Sequence, residues 1–251
     1  MPTTNKLGRP DRTIDIWYFD CDDSRWPIQE LALCLPPGFE HAIEPVRDPV
    51  NARRRLVSQA ALRILLSSRL CGATPATLTF DYGYYGKPSL NGSGSRLYFN
   101  LSHSHNVTAI AIAANGPIGI DVEHLLPTND DLNAAVLVPN ELRAIASTVQ
   151  DIKLEAFYRC WVRKEAILKA HGAGLALPTH SRSPMIDIEV SIQPAAMSKP
   201  LALPELLGNP DRWTLLDFSP GKQVIGSVAA FRSEAELVAH AGIEAVLTLV
   251  R

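Results

Sequence analysis

The chain has 251 residues, 46% of them hydrophobic and 20% charged, which suits a compact soluble protein and excludes a disordered or fibrous one. Its 24 Lys and Arg against 26 Asp and Glu leave a formal charge of −2, so it lacks the basicity of a dedicated nucleic-acid binder, and any phosphate chemistry must come from local clusters. Apolar runs such as 108–114 fall far short of the roughly 20 residues a membrane helix needs, and the opening MPTTNKLGRPDR has no signal-peptide core. A cytoplasmic location is expected, with no membrane or nucleic-acid partner.

Residues 13–19 read as a strand, because Ile14, Ile16 and Tyr18 alternate with Asp15 and Trp17 before the acidic turn 20–24. Pro36, Pro37 and Gly38 then interrupt the chain. From 51 to 70 apolar residues recur at three and four (Leu56, Ala60, Ile64), predicting a helix closed by Cys71 and Gly72. Short strands at 77–80 and 96–101 flank a turn-rich stretch with Gly83, Gly86, Pro88 and 91–94, and 107–114 is a small-residue strand. The turn Asn115, Gly116, Pro117 is the economical cut, giving halves 1–115 and 116–251. The second half resembles the first in order: a strand at 118–123, helices near 140–148 and 152–171, and strands at 186–192, 213–218 and 224–231. Segment 96–114 can be laid on 212–230 without a gap, each being a strand, a polar turn and a strand ending in Ala-Ala; with few residues identical, this is either an internal duplication or the pattern any two hairpins share. Between 178 and 210 proline-rich loops join short strands. The four cysteines, Cys21, Cys34, Cys71 and Cys160, form no CxxC pair and read as buried thiols.

Four features carry chemistry. Asp121 and Glu123, two apart on one strand, aim both carboxylates at one face while Ile120 and Val122 face the other. Such a pair is either a solvent-facing acidic edge or the oxygen set of a hard divalent cation. On the helix around 157–169, Phe157, Trp161 and Leu168 form an apolar stripe, with Trp161 expected in the core, while Glu165 and Lys169 share an edge one turn apart. Between Pro49 and Phe80 there are five arginines, Arg53, Arg54, Arg55, Arg63 and Arg69, and no acid, which is either a solvated helix face or a phosphate site. Finally, Gly86-Lys87-Pro88 and the strand end 99–104 (FNLSHS) offer an ammonium, hydroxyls and an imidazole to an anion. No GxSxG elbow surrounds Ser102, and Ser102 and His103 point opposite ways on a strand, against a serine hydrolase. His105, His124, His171 and His180 read as surface or capping residues.

Taken together and in order, GKP (86–88), FNLSHS (99–104), GIDVE (119–123), WVRKEAILK (161–169) and GAGLALP (172–178) resemble the 4′-phosphopantetheinyl transferases of the surfactin-synthetase-activating type. The resemblance implies an α+β fold of two similar α/β halves with pseudo-two-fold symmetry and coenzyme A in the cleft between them. It implies that Asp121, Glu123 and Glu165 bind Mg²⁺, with Glu165 a candidate to deprotonate the acceptor serine. Lys169 would contact the phosphates and Lys164 would lie nearby; Arg54 and His103 would hold the 3′-phosphate, and Lys87 and Ser102 would contact the nucleotide. Residues 1–115 would thus supply nucleotide and 3′-phosphate contacts, and 116–251 the metal-binding and catalytic residues. The family often has lysines upstream of the arginine helix, whereas residues 39–50 contain only Arg47. The implied reaction moves phosphopantetheine from coenzyme A to a serine of an apo acyl or peptidyl carrier protein, releasing 3′,5′-ADP, with the enzyme a monomer and 132–143 a candidate rim for the carrier. A Mg²⁺-dependent nucleotide or phosphodiester hydrolase would explain the carboxylates and arginines but not the motif order. A noncatalytic coenzyme A module would not need Asp121, Glu123, Glu165 and Lys169 together.

Overall fold

The computed structural model describes residues 12–39, 48–91, 97–178 and 181–250, so Arg47, His180 and much of the 91–94 turn lie outside the described residues. Strand β1 (Thr13–Asp20) has both faces buried: Ile14 and Ile16 enter one apolar cluster, Trp17 and Phe19 another. The same division recurs in β5 (Val107–Ala113), where Ala109, Ala111 and Ala113 face one cluster and Ile110 and Ile112 the other. Strand β6 (Ile118–His124) puts Ile118, Ile120 and Val122 on the shared side, and β8 (Val224–Ala230) does so with Val228 and Ala230. Two sheets therefore pack against each other through the small and branched residues of one inner cluster, and each covers its outer face with helices. Period-2 alternation of two apolar sets is what a strand buried on both faces requires.

The first sheet has order β4-β5-β1-β9, with β4 at Tyr98–Ser104 and β9 at Glu236–Ala241; the second has order β6-β8-β7, with β7 at Thr214–Gly221. Register repeats between them. Ala113 is opposite Ile14 and Tyr98, and Ala230 is opposite Ile118 and Thr214. The gapless overlay of 96–114 on 212–230 pairs Ala113 with Ala229, one residue short, and the extra residue is taken up by a bulge between Phe218 and Gly221. A mixed α+β fold with a repeated three-strand unit is thus observed. The chain does not stay with its half: β9 runs parallel to β1, and Ile243 and Val246 beyond it enter the first-half core.

Helix α1 (Ile28–Leu33) is short and was not marked by periodicity. Helix α2 (Pro49–Ser67), capped by the Asp48 side chain at Val50 N, buries Val57, Ala60, Ala61, Ile64 and Leu65 on the first sheet. In place of a strand at 77–80 the chain forms a turn of 3₁₀ helix at Pro75–Thr77 and a small hairpin, β2 (Phe80–Tyr82) with β3 (Pro88–Leu90). Helix α5 (Gln150–His171) covers the second sheet, α3 (Asp130–Val136) and α4 (Pro139–Ala146) pack against α5, and α6 (Glu244–Leu247) follows β9. The strand expected at 186–192 is absent. A 3₁₀ turn at Pro184–Asp187 and one bridge, Glu189 to Ala202, take its place. Side chains satisfy the backbone there: Arg159 donates to Ile192 O, Arg163 to Ser191 O and Gln193 O, and Val190 N donates to Glu141. Among the described residues, no helix is long and apolar enough to cross a membrane.

Helix α5 rests on β6 at Gly119, where a Cβ would stand 2.1 Å from Ala166 O and 2.4 Å from Ala170 N. Backbone sits on both sides of that contact and neither can yield. Gly119→Ala is expected to destabilise the protein by about 3 kcal/mol, and an unchanged denaturation midpoint would contradict the close approach.

Candidate active site

Strand alternation that buries Ile120 and Val122 turns Asp121 and Glu123 toward α5. On α5, Trp161, Glu165 and Lys169 recur at four residues on a stripe that is only partly buried, while Cys160, Arg163, Lys164 and Ile167 are fully buried. Lys169 Nζ donates to Asp121 Oδ1 at 2.6 Å and to Ser102 Oγ at 2.9 Å, and Ser102 Oγ donates to the same carboxylate oxygen at 2.9 Å. Glu123 accepts from Ser104 Oγ at 2.7 Å. The site is therefore a seam: serines from β4 in the first sheet, carboxylates from β6 in the second, and Glu165 and Lys169 from the helix over it.

This cluster is short of positive charge. Burial pushes the Glu123 carboxyl up to about 7, against Ser104, and the negative charges of Asp121 and Glu165 push the same way. Glu165 is raised by burial and then by Asp121. Asp121, 2% exposed, is raised by burial despite Lys169. Its Oδ2 is buried without a hydrogen-bond partner. One ammonium faces three carboxyl groups, and a buried orphan acceptor is costly. Among the described residues no three His, Cys, Asp or Glu side chains close into a ready cage. Mg²⁺ does not need one, since it commonly takes one or two carboxylates and completes its shell with water and substrate phosphate. The orphan Oδ2 and three carboxyls raised chiefly by burial fit such a cation.

Other sequence-derived candidates sit differently. Lys164 does not reach the seam: fully buried, it donates to Glu141 Oε2 at 2.5 Å and to Val136 O at 2.8 Å, because it points into the α5 core beside α4. Its partner Glu141 also accepts from Val138 N and Val190 N, so the pair fastens loop to helix. Lys87 donates to Ile118 O, Lys169 O and Ala170 O at 2.8, 2.6 and 2.9 Å, gathering the end of α5 and the start of β6 under one ammonium. Burial lowers its pKa to about 8. It also lines a cavity of about 460 Å³ with Tyr84, Tyr85, Tyr98, His171 and Gly172. Arg54 places Nε and Nη2 on Asp22 at 2.9 and 2.5 Å. His103 is exposed, on the face of β4 opposite Ser102. Trp161 is not core as expected; it is partly buried, 5.9 Å from the Phe157 ring centroid, on the stripe of Glu165. Of the cysteines, Cys21 and Cys160 are buried and Cys71 is exposed. The 132–143 segment spans α3 and α4.

The contacts that sequence reading missed are Asn100, Ser104, Asp22 and Glu141. Asn100, Ser102 and Ser104 did carry a signal, since polar residues alternate there with Phe99 and Leu101 on a strand that ought to be apolar on both faces.

A repeated α+β unit whose seam gathers carboxyls and a lysine beside a tyrosine-lined cavity has the layout of an enzyme active site. Comparison with known proteins narrows this. Residues 117–218 match the sequence family described as the 4′-phosphopantetheinyl transferase superfamily. The chain is 31% identical, over 91% of its own length and 92% of the relative's, to the 4′-phosphopantetheinyl transferase HetI of Nostoc sp.. It is 36% identical to a putative 4′-phosphopantetheinyl transferase of Synechocystis sp., covering 60% and 67% of the two chains. A 4′-phosphopantetheinyl transferase of Bacillus subtilis is 32% identical over 57% and 63%. The chain belongs to the 4′-phosphopantetheinyl transferase superfamily.

An acid whose pKa rises on folding lends stability that is complete below its unfolded value and is lost as pH climbs through its folded value. For Glu123 that window runs from its ordinary 4.5 to about 7. Unfolding free energy of the metal-free protein is therefore expected to fall across this window, and to fall less in Glu123→Gln. Parallel curves for the two proteins would show that Glu123 is not charged at a cost.

Proposed function

We propose that this protein transfers the 4′-phosphopantetheine group of coenzyme A to a serine hydroxyl of an apo acyl or peptidyl carrier protein, with Mg²⁺, releasing 3′,5′-ADP. It would do so as a cytoplasmic monomer of the surfactin-synthetase-activating type, whose two halves both lie within one chain. The observation that carries the reading is the seam, where burial raises the pKa of Asp121, Glu123 and Glu165, Asp121 adds to the rise of the other two, and among the described residues the Lys169 ammonium is the cation that faces them. These three carboxylates would hold Mg²⁺, which when bound supplies Lewis-acid charge at the pyrophosphate.

The chain's own residues account for the rest. A serine hydroxyl is a weak nucleophile at neutral pH and needs a base. Glu165, whose pKa is raised by burial and by Asp121, is suited to accept its proton. As the serine oxygen bonds to the phosphorus of the pantetheine phosphate, the bond to the bridging pyrophosphate oxygen breaks. Charge then collects on 3′,5′-ADP. Lys169 would face that charge, and its bonds to Asp121 and Ser102, which hold its ammonium in the seam, support that role. Under the same reading the first half supplies nucleotide contacts. The tyrosine-lined cavity beside Lys87 is suited to a base, and Arg54 to the 3′-phosphate, where Asp22 now competes for its guanidinium. Both 132–143 and the partly exposed Trp161 would border the carrier's approach.

Mass measurement on an apo carrier protein with coenzyme A, Mg²⁺ and this enzyme is the deciding experiment. A phosphopantetheine adduct on the carrier is expected. Coenzyme A cleaved without carrier would instead mark a hydrolase, and coenzyme A bound but unchanged a binding module. Asp121→Asn and Glu165→Gln are each expected to lower transfer on the order of 100-fold or more, the scale of losing one preorganised charged group, with melting temperature kept; near-normal turnover at saturating Mg²⁺ would sink the assignment.

Coenzyme A and dephospho-coenzyme A differ only in the 3′-phosphate. Calorimetry at fixed ionic strength is expected to show that wild type prefers the former and that Arg54→Ala reduces the preference by about 1.5–3 kcal/mol, the worth of a hydrogen bond to a charged group. Equal weakening of both ligands would make Arg54 a structural residue.

A further inference from the structure

Strands β4 and β6 lie side by side yet belong to different sheets, so no shared backbone ladder joins them. Side chains on alternate β4 positions do so instead. Asn100 Oδ1 accepts from Ile120 N at 2.8 Å, Ser102 reaches Asp121, and Ser104 reaches both Glu123 and the backbone N–H of His124, the latter at 3.1 Å. The direction of these bonds is fixed by chemistry. A serine hydroxyl has one proton to give. The His124 N–H can only donate, so Ser104 Oγ receives it and its own proton is left for Glu123 Oε2. Ser102 works likewise: the Lys169 ammonium can only donate to it, and its proton goes to Asp121. Each serine therefore accepts one bond and donates one, and each donated proton ends on a carboxylate.

The two links are not equivalent. Asp121 is also held by Lys169, so Ser102 is one of two restraints on it. Among the described residues no cation is hydrogen-bonded to Glu123, which feels Lys169 only through space. Its side chain has three torsions to fix, and Ser104, anchored to the backbone immediately after it, is the group that fixes them.

We propose that Ser104 is a positioning residue, which acts from the first half of the molecule to preorganise the Glu123 carboxylate for the divalent cation. The inference rests on Asp121, Glu123 and Glu165 being the cation's ligands. A hydrogen bond to a ligating carboxylate from a neighbouring group governs metal affinity through ligand orientation. Asn100 stitches backbone only and does not share this role.

The test uses Mn²⁺ alone as probe, titrated into the full-length protein and followed by electron paramagnetic resonance. Ser104→Ala is expected to raise the Mn²⁺ dissociation constant about 10- to 100-fold. The Mg²⁺ concentration for half-maximal transfer should rise in parallel, and KM for coenzyme A at saturating Mg²⁺ should stay unchanged. Ser104→Thr, which keeps the hydroxyl, should restore binding. Ser104→Cys keeps the volume but donates weakly and should behave like alanine, which covers the case of an alanine variant that melts early. Wild-type Mn²⁺ affinity in Ser104→Ala or Ser104→Cys, or failure of threonine to restore it, would overturn the proposal. A wild-type protein that binds no Mn²⁺ is a different result: it removes the cation site itself and the inference with it.

Discussion

The close approach of α5 to β6 at Gly119 is the constraint on which the site depends. With no side chain between them, the helix backbone at Ala166 and Ala170 lies almost on the strand. Two residues further along the strand comes Asp121, and Glu165 immediately precedes Ala166 on the helix, so the packing brings the two carboxyl groups within electrostatic reach and Asp121 raises the Glu165 pKa. Lys87 reinforces the contact from the first half by drawing three carbonyls of the same region together. Electrostatic repulsion among the acids is thus imposed by backbone packing, and the inner apolar cluster between the sheets provides the stability that tolerates it.

A comparison within the second sheet sharpens the point. Asp121, Ser227 and Asp217 share one register row and one face, and α5 crosses that face with cations at both ends. At the β7 end, Arg163 meets Asp217 with Nε at 3.1 Å and Nη2 at 2.6 Å, so both carboxylate oxygens are bonded. At the β6 end, Lys169 engages one oxygen of Asp121 and leaves the other bare. The guanidinium fork saturates a carboxylate, whereas a lysine contributes a point charge and leaves coordination open. One end of the row is built to be closed and the other to receive something.

Much of this was legible in the sequence because period-2 and period-3.6 patterns survive wherever a face is buried. β1, β5, β6, β8 and the helices α2 and α5 followed from them, and the paired orientation of Asp121 and Glu123 followed from strand alternation alone. The segment at 186–192 failed for an identifiable reason: its residues look like a strand, but arginines of α5 and Glu141 take up its backbone groups. Lys164 failed for another. It sits between Arg163 and Glu165 in a motif rich in charge, and one position of helical rotation sends it into the core, where its partners Glu141 and Val136 O are distant in sequence. Short elements such as α1, α3 and β9 lack the length for periodicity to declare itself. The one-residue shift in the repeated hairpin was invisible because a bulge preserves residue types while moving register.

The parallel pairing of β9 with β1 fixes the order in which the molecule can be finished. Residues 13–18 find their neighbours at 236–241, and Trp17 stacks on His240 with ring centroids 4.6 Å apart while Asp15 meets the same imidazole at 2.9 Å. More than 200 intervening positions must be made and placed before that strand can dock, and contacts of such sequence separation are late and slow to form. During synthesis the first sheet waits with an open edge until the second sheet exists, and an open edge is a place where foreign strands can add. The final strand therefore acts as a latch on the nascent chain, and agents that bind extended segments would find their target on this enzyme before it is complete.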